Sequence, residues 1–181
     1  MNADTDAKAE MAAETQGSLL WGPYSRVCAW TAVLSFAIDQ SHKAWMLAAY
    51  QIKQRGRVQI TSFLDFVYVL NKGVSYGLFS SIGPWLLMGF AVLTALGLWI
   101  WLARAGTGRV MAVSLGLIIG GALANGLDRY LHGGVVDYVS LHAFGFYWYV
   151  FNIADAAIVA GVIGLLYDSY LTSRNSASNA V

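Results

Sequence analysis

From Ile82 to Ala103 the chain reads IGPWLLMGFAVLTALGLWIWLA, without one ionisable side chain. A helix rises about 1.5 Å per residue, so about 22 such residues cross the roughly 30 Å of hydrocarbon in a bilayer. Lipid offers no water to an exposed peptide group, which confines a spanning segment to a helix or a closed barrel. An integral membrane protein is therefore expected, and composition agrees. Of the 181 residues 57% are hydrophobic and 12% charged, with mean hydropathy +0.55, whereas a soluble domain carries about 25% charged residues. A formal net charge of +1 gives no bulk attraction for nucleic acid, and none is expected as a partner. Cys28, the one cysteine, excludes an intrachain disulfide and reads as a small core or lipid-facing residue.

Three further segments suit helical spans. Val27 opens VCAWTAVLSFAIDQSHKAWMLAAY, in which Asp39 and Lys43 stand i to i+4 with the acid first, an arrangement that pairs them on one face. His42 beside them reads as an interfacial residue. Val110 to about Leu131 is rich in Gly and Ala (Gly116, Gly120, Gly121, Ala122, Ala124, Gly126), which allow a neighbouring helix to approach closely. Phe151 to Tyr170 is the last. Residues 1–18 form a polar acidic stretch, expected to be a disordered tail without the basic start of a secretory signal. Residues 172–181 are a polar tail.

The expected fold is an all-α membrane protein with four transmembrane helices, at about 25–48, 82–103, 110–131 and 151–170, in a single domain over residues 19–171. The basic segment Gln51–Arg57 must lie in water or among headgroups. After it, ITSFLDFVYVLNKGVSYGLF looks like short strands with a turn at Asn71-Lys-Gly73, a small β-rich platform within about 51–80. Residues 132–150 read as a surface return whose Phe144, Phe146, Tyr147, Trp148 and Tyr149 form an interfacial aromatic cluster. Both termini then share one side. Basic residues divide almost evenly between the two sides and orient the chain only weakly, through the short Arg104–Arg109 turn, with termini inside.

Within Gly120–Leu166 lie Asp128, Asp137 and Asp155 with the amides Asn125 and Asn152. Ionisable groups at membrane depth are costly and by default functional. Helical rise puts Asp128 about 27 Å along its span and Asp155 about 6 Å into the next, so these acids and Asp39 converge near one membrane surface, opposite the termini. Arg129 follows Asp128 directly and could hold it ionised. Asp137 has no charged neighbour in sequence, and apolar surroundings would raise its pKa. Asp155 falls in the first turn of a helix that Asn152 could cap, where the helix dipole favours an anion. One neutral and one ionised carboxyl is what activation of water requires. A capping box at Asn152–Asp155 and a merely interfacial Asp137 account for the same spacing.

At these residues the chain resembles the signal peptidase II family, the bacterial lipoprotein signal peptidases. The segments that carry the resemblance are GGALANGLDRYLHGGVVDY, FNIADAAIVAG, Asp39-Gln-Ser-His-Lys43 and Asn71-Lys-Gly73-Val-Ser-Tyr-Gly77, in order over about Val27–Leu166. The resemblance implies an inner-membrane aspartic protease with a periplasmic platform and a site near the periplasmic face. Its substrate would be a prolipoprotein, cut just before the diacylglyceryl-modified cysteine while the acyl chains stay in membrane lipid. The dyad falls on Asp137 and Asp155. The other polar site positions are Asp39, Lys43, Asn71, Gly73, Asn125, Asp128, Arg129 and Asn152. The chain departs from the pattern mildly, at His42, Tyr76, Ala124 and Tyr138. A monomer is expected, and neither metal nor organic cofactor is needed; His42, His132 and His142 match no ligand spacing. The alternative is a small proton-coupled transporter relaying protons through Asp39, Asp128 and Asp155. The apolar run from Ile82 offers such a relay no route to the other side.

Overall fold

The computed structural model describes residues 20–73, 83–105 and 108–178. The acidic tail, Tyr76 and the second half of the platform segment lie outside them. The helices are α1 (Ser25–Ala48), a one-turn α2 (Ile52–Arg55), α3 (Pro84–Ala105), α4 (Arg109–His132) and α5 (Ile153–Ser178). The strands are β1 (Val58–Gln59), β2 (Leu64–Asn71), β3 (Val135–Ala143) and β4 (Phe146–Phe151).

Helix α4 is the hub, packed against α1, α3 and α5. Its small residues allow this, because neighbouring positions on a helix point about 100° apart. A Cβ on Gly120 would meet the carbonyl oxygen of Ala32 in α1, and one on Gly121 would stand 2.6 Å from the carbonyl oxygen of Ala154 in α5. In lipid, association depends on such contact because tails are as apolar as leucine. Gly121→Ala is therefore expected to force α4 from the first turn of α5. Unfolding in detergent should report a loss of ~1–3 kcal/mol, and an unchanged midpoint would refute the close approach.

Pro84–Arg104, Arg109–His132 and Ile153–Asn175 are long and apolar enough to cross a membrane. Helix α1 matches them in length with 24 residues but carries Arg26, Asp39 and Lys43; among the described residues three spans thus stand on length and apolarity. Cys28 is fully buried in a core with Leu102, Leu115 and Ile119.

Two expectations need correction. Residues 132–150 are a hairpin, not an irregular return. Strands β1-β2-β3-β4 form one antiparallel sheet in that order, so the described residues are α-helical with a four-stranded sheet at one end of the helices. The turn is the two residues Phe144 and Gly145, both at positive φ (51° and 82°) between the paired Ala143 and Phe146. This geometry matches the right-handed twist of the strands. In the platform segment the strand expected before the turn is present as β2, the one expected after it falls outside the described residues, and β1 lies upstream at Val58. The last helix begins at Ile153 rather than Phe151 and continues through the polar stretch to Ser178.

Candidate active site

The sheet meets the helices where α4 ends and α5 begins. Gly133, at φ +70°, stops α4 by donating its N–H to the Arg129 carbonyl at 3.1 Å, and the chain turns straight into β3. One face of β3 buries Val136 and Tyr138 against Met46 and Ile52. Period-two alternation turns Asp137 the other way, towards the helix ends. There its Oδ1 accepts from Asn152 Nδ2 at 2.6 Å and its Oδ2 from Asn71 Nδ2 at 3.1 Å.

Asn152 also starts α5. Its Oδ1 accepts the Asp155 N–H at 3.0 Å, and Asp155 Oδ2 accepts the Asn152 N–H at 3.3 Å. This reciprocal capping box holds Asp155 in the first turn. The capping role is therefore present, and it leaves Asp155 Oδ1 accepting from Asn125 Nδ2 at 2.8 Å. Asn152 thus touches both acids, and it donates as well to Asn125 Oδ1 at 3.1 Å.

Beneath them is an ionic knot with almost no solvent contact. Lys43 Nζ lies 2.8 Å from Asp39 Oδ2, 2.7 Å from Asp128 Oδ2 and 3.2 Å from Asn125 Oδ1. The second carboxyl oxygen of Asp39 accepts the Ala154 N–H at 2.8 Å, and Asp128 Oδ2 also accepts the Val136 N–H at 3.0 Å. The expected Asp39–Lys43 pair is present. The expected Asp128–Arg129 pair is corrected: the cation paired with Asp128 is Lys43, which bridges it to Asp39. The Arg129 guanidinium instead donates to the carbonyls of Asn125 and Gly73, each at 3.1 Å. On a helix, adjacent residues point in different directions, so sequence adjacency gave the wrong partner.

All ten anticipated positions thus belong to one connected region: Gly73 through Arg129, Asn71 through Asp137, and the rest through Lys43, Asn125 and Asn152. Two members were not anticipated. Gln40 donates to Asp128 Oδ1 at 2.9 Å and to the Ala124 carbonyl at 3.2 Å. Its signal in the sequence is its place in the Asp39–Lys43 segment that carries the resemblance, although it is not among the site positions named there. Tyr149, grouped above with interfacial rings, accepts from Asn71 Nδ2 at 2.6 Å. His42 is half-buried and stacks on Tyr138 at 5.0 Å between ring centres.

Two cavities meet here. One of about 810 Å³ lies among α3, α4 and α5, with Asp155, Asn125 and Arg129 at its polar end and Leu87, Phe90 and Ile163 among its apolar walls. The other, about 470 Å³, lies over the sheet beside Asp137. Asn71, Gly73 and Tyr149 border both. Burial raises the Asp137 pKa to about 7, the charge of Asp155 adds to the rise, and the Asn71 and Asn152 hydrogen bonds oppose it. A carboxyl able to hold a proton near neutrality beside a second acid can donate to a carbonyl oxygen while its partner takes a proton from water.

The family model described as signal peptidase (SPase) II matches residues 31–171, which take in every residue of this network. The chain belongs to the signal peptidase II family. It is 46% identical over 150 residues to the lipoprotein signal peptidase of Methylorubrum extorquens (strain PA1), covering 81% of this chain and 87% of that one. Against the lipoprotein signal peptidase of Methylobacterium sp. (strain 4-46) it is 49% identical over 142 residues, with 77% and 86% covered. A bacterial membrane enzyme solved by the in meso method at 2.3 Å superposes with TM-score 0.72 at 25% identity, over 82% of this chain and 90% of that one. Signal peptidase II membership makes the chain a bacterial membrane protein and a protease, with the aspartic mechanism of that family. It also sets aside the transporter reading.

Proposed function

We propose that this peptidase hydrolyses the leader of a diacylglyceryl-modified prolipoprotein, cutting before the lipidated cysteine, with Asp137 and Asp155 as the catalytic pair. Asp39, Lys43, Asn71, Gly73, Asn125, Asp128, Arg129 and Asn152 support the pair or contact substrate. The observation that carries this reading is Asn152, which bonds Asp137 Oδ1 through its side chain and Asp155 Oδ2 through its backbone. Two acids joined through one residue, one raised to about 7, share a proton and titrate as a unit. The protonated member donates to the scissile carbonyl oxygen. The ionised one removes a proton from water as its oxygen adds to the carbonyl carbon. Collapse of the tetrahedral intermediate breaks the C–N bond, and the cysteine nitrogen leaves with a proton from the acid that had served as base.

We further read α1 as a fourth span, since its buried Asp39 and Lys43 pair with each other inside the helix packing rather than in lipid, with termini in the cytoplasm and the sheet at the periplasmic face. The enzyme acts as a monomer, and the acyl chains of its substrate remain in lipid. The test is incubation of the purified protein with a diacylglyceryl-prolipoprotein, reading loss of the leader by mass. An unprocessed precursor would defeat the proposal. Because catalysis needs one proton on the pair, kcat/KM is expected to fall as pH rises through about 7, where Asp137 loses its proton. A profile flat from pH 6 to about 9 would contradict the shared proton.

A further inference from the structure

Among the described residues, the reading above leaves one buried acid unused. Asp65, on β2, is 2% exposed and lies on the sheet away from the ionic knot. Its Oδ2 accepts from Arg57 Nη1 at 2.8 Å, and its Oδ1 lies 3.1 Å from His142 Nε2. Arg57 Nη1 also reaches Ser140 Oγ at 3.3 Å. The Arg57 guanidinium holds the Asp65 carboxyl below the usual carboxylate range. One aromatic ring sits against both basic partners. Tyr147 has the Arg57 guanidinium 4.7 Å from its centre and the His142 ring at 4.9 Å. It is nevertheless 59% exposed, and it borders the cavity beside Asp137. A ring that is fixed at its base and bare towards a cavity is placed to meet a ligand, since its rotamer is already chosen.

The two cavities indicate which ligand. Asp155 borders the larger cavity and Asp137 the smaller, so a peptide bond lying between the two acids has one cavity on either side of it. The larger, with Leu87, Phe90 and Ile163 in its walls, suits the parts of the substrate that dissolve in lipid. The segment after the modified cysteine is the part that stays in water. The smaller cavity suits it, with Lys72 and Asp137 its charged residues and Tyr147, Trp148 and Tyr149 its aromatic ones.

Resting on that reading of the site, we propose that Tyr147 is a specificity-determining residue for the polypeptide beyond the lipidated cysteine. Arg57, Asp65 and His142 are its positioning residues. The ring would lie along the extended peptide, and the cluster keeps it from turning away to solvent.

The test compares two lipidated substrates, one carrying about ten residues after the cysteine and one ending at a cysteine amide, on the intact enzyme. Tyr147→Ala is expected to raise KM for the long substrate about fivefold or more, leaving kcat and all constants for the short one near native values. Tyr147→Phe should restore native behaviour, and His142→Ala should shift the long substrate alone, by less. A merely structural role would move both substrates together, and that result, or no change with either, would overturn the proposal while cleavage by the native enzyme leaves the catalytic reading intact. Should the native enzyme cleave neither substrate, the catalytic reading falls and takes this inference with it.

Discussion

Asp137→Asn is expected to lower the rate of leader removal at least about 10³-fold, and Asp155→Asn should do the same. An amide has the shape of a carboxyl, so the first change keeps an oxygen for Asn152 Nδ2, the 2.6 Å partner of Asp137. What it removes is the exchangeable proton. The two variants should differ in stability even as both lose activity. Each aspartate accepts on both oxygens, Asp137 from Asn152 Nδ2 and Asn71 Nδ2, Asp155 from Asn125 Nδ2 and the Asn152 N–H, so either amide sets its NH₂ against one donor. Only in Asp155→Asn is half of a capping box also at stake, which costs about 1 kcal/mol more. Single-turnover cleavage beside a detergent melt separates the two effects. A variant that keeps more than about a tenth of native turnover would remove its aspartate from the mechanism.

How far the sequence announces this site depends on how local each signal is. The span of α3 is legible because an apolar run in lipid has one solution, and the capping box is legible because Asn152 and Asp155 lie three residues apart. The hairpin of β3 and β4 is not legible. Its turn is Phe144-Gly145, and a phenylalanine at φ 51° lacks the Asn-Gly or Asp-Gly signature that announces such a turn. Its second strand, Phe146–Phe151, is also so aromatic that it passes for an interfacial belt. The partner of Asp128 was misread because a charge adjacent in sequence is not adjacent on a helix surface. Lys43 lies 85 positions away and meets Asp128 only through the packing of α1 on α4. Tyr149 was hidden for a similar reason: nothing near it in sequence distinguishes it from Trp148, and only the pairing of β4 beside β3 brings it to Asn71.

Lys43→Met is expected to cost ~3–5 kcal/mol of stability, the usual penalty for stripping one partner from a buried ionic group. Asp39 and Asp128 are 0% and 1% exposed, so neither carboxylate can turn to water when the ammonium is gone. The effect should exceed simple destabilisation because of what these carboxylates grip. Asp39 accepts the N–H of Ala154, the residue just before Asp155, and Asp128 accepts the N–H of Val136, the residue just before Asp137. One ammonium therefore fixes the backbone immediately ahead of each proposed catalytic acid, one on a helix and one on a strand. Lys43→Arg separates geometry from charge: it keeps the cation but replaces a compact point donor with a broad planar one. That variant should unfold nearer the native midpoint than Lys43→Met and still lose about tenfold or more in kcat, since misplacement of about 1 Å can cost 100-fold. If Lys43→Arg instead melts and turns over like the native enzyme, the ammonium serves only as a counter-charge and the two backbone anchors do not depend on its shape.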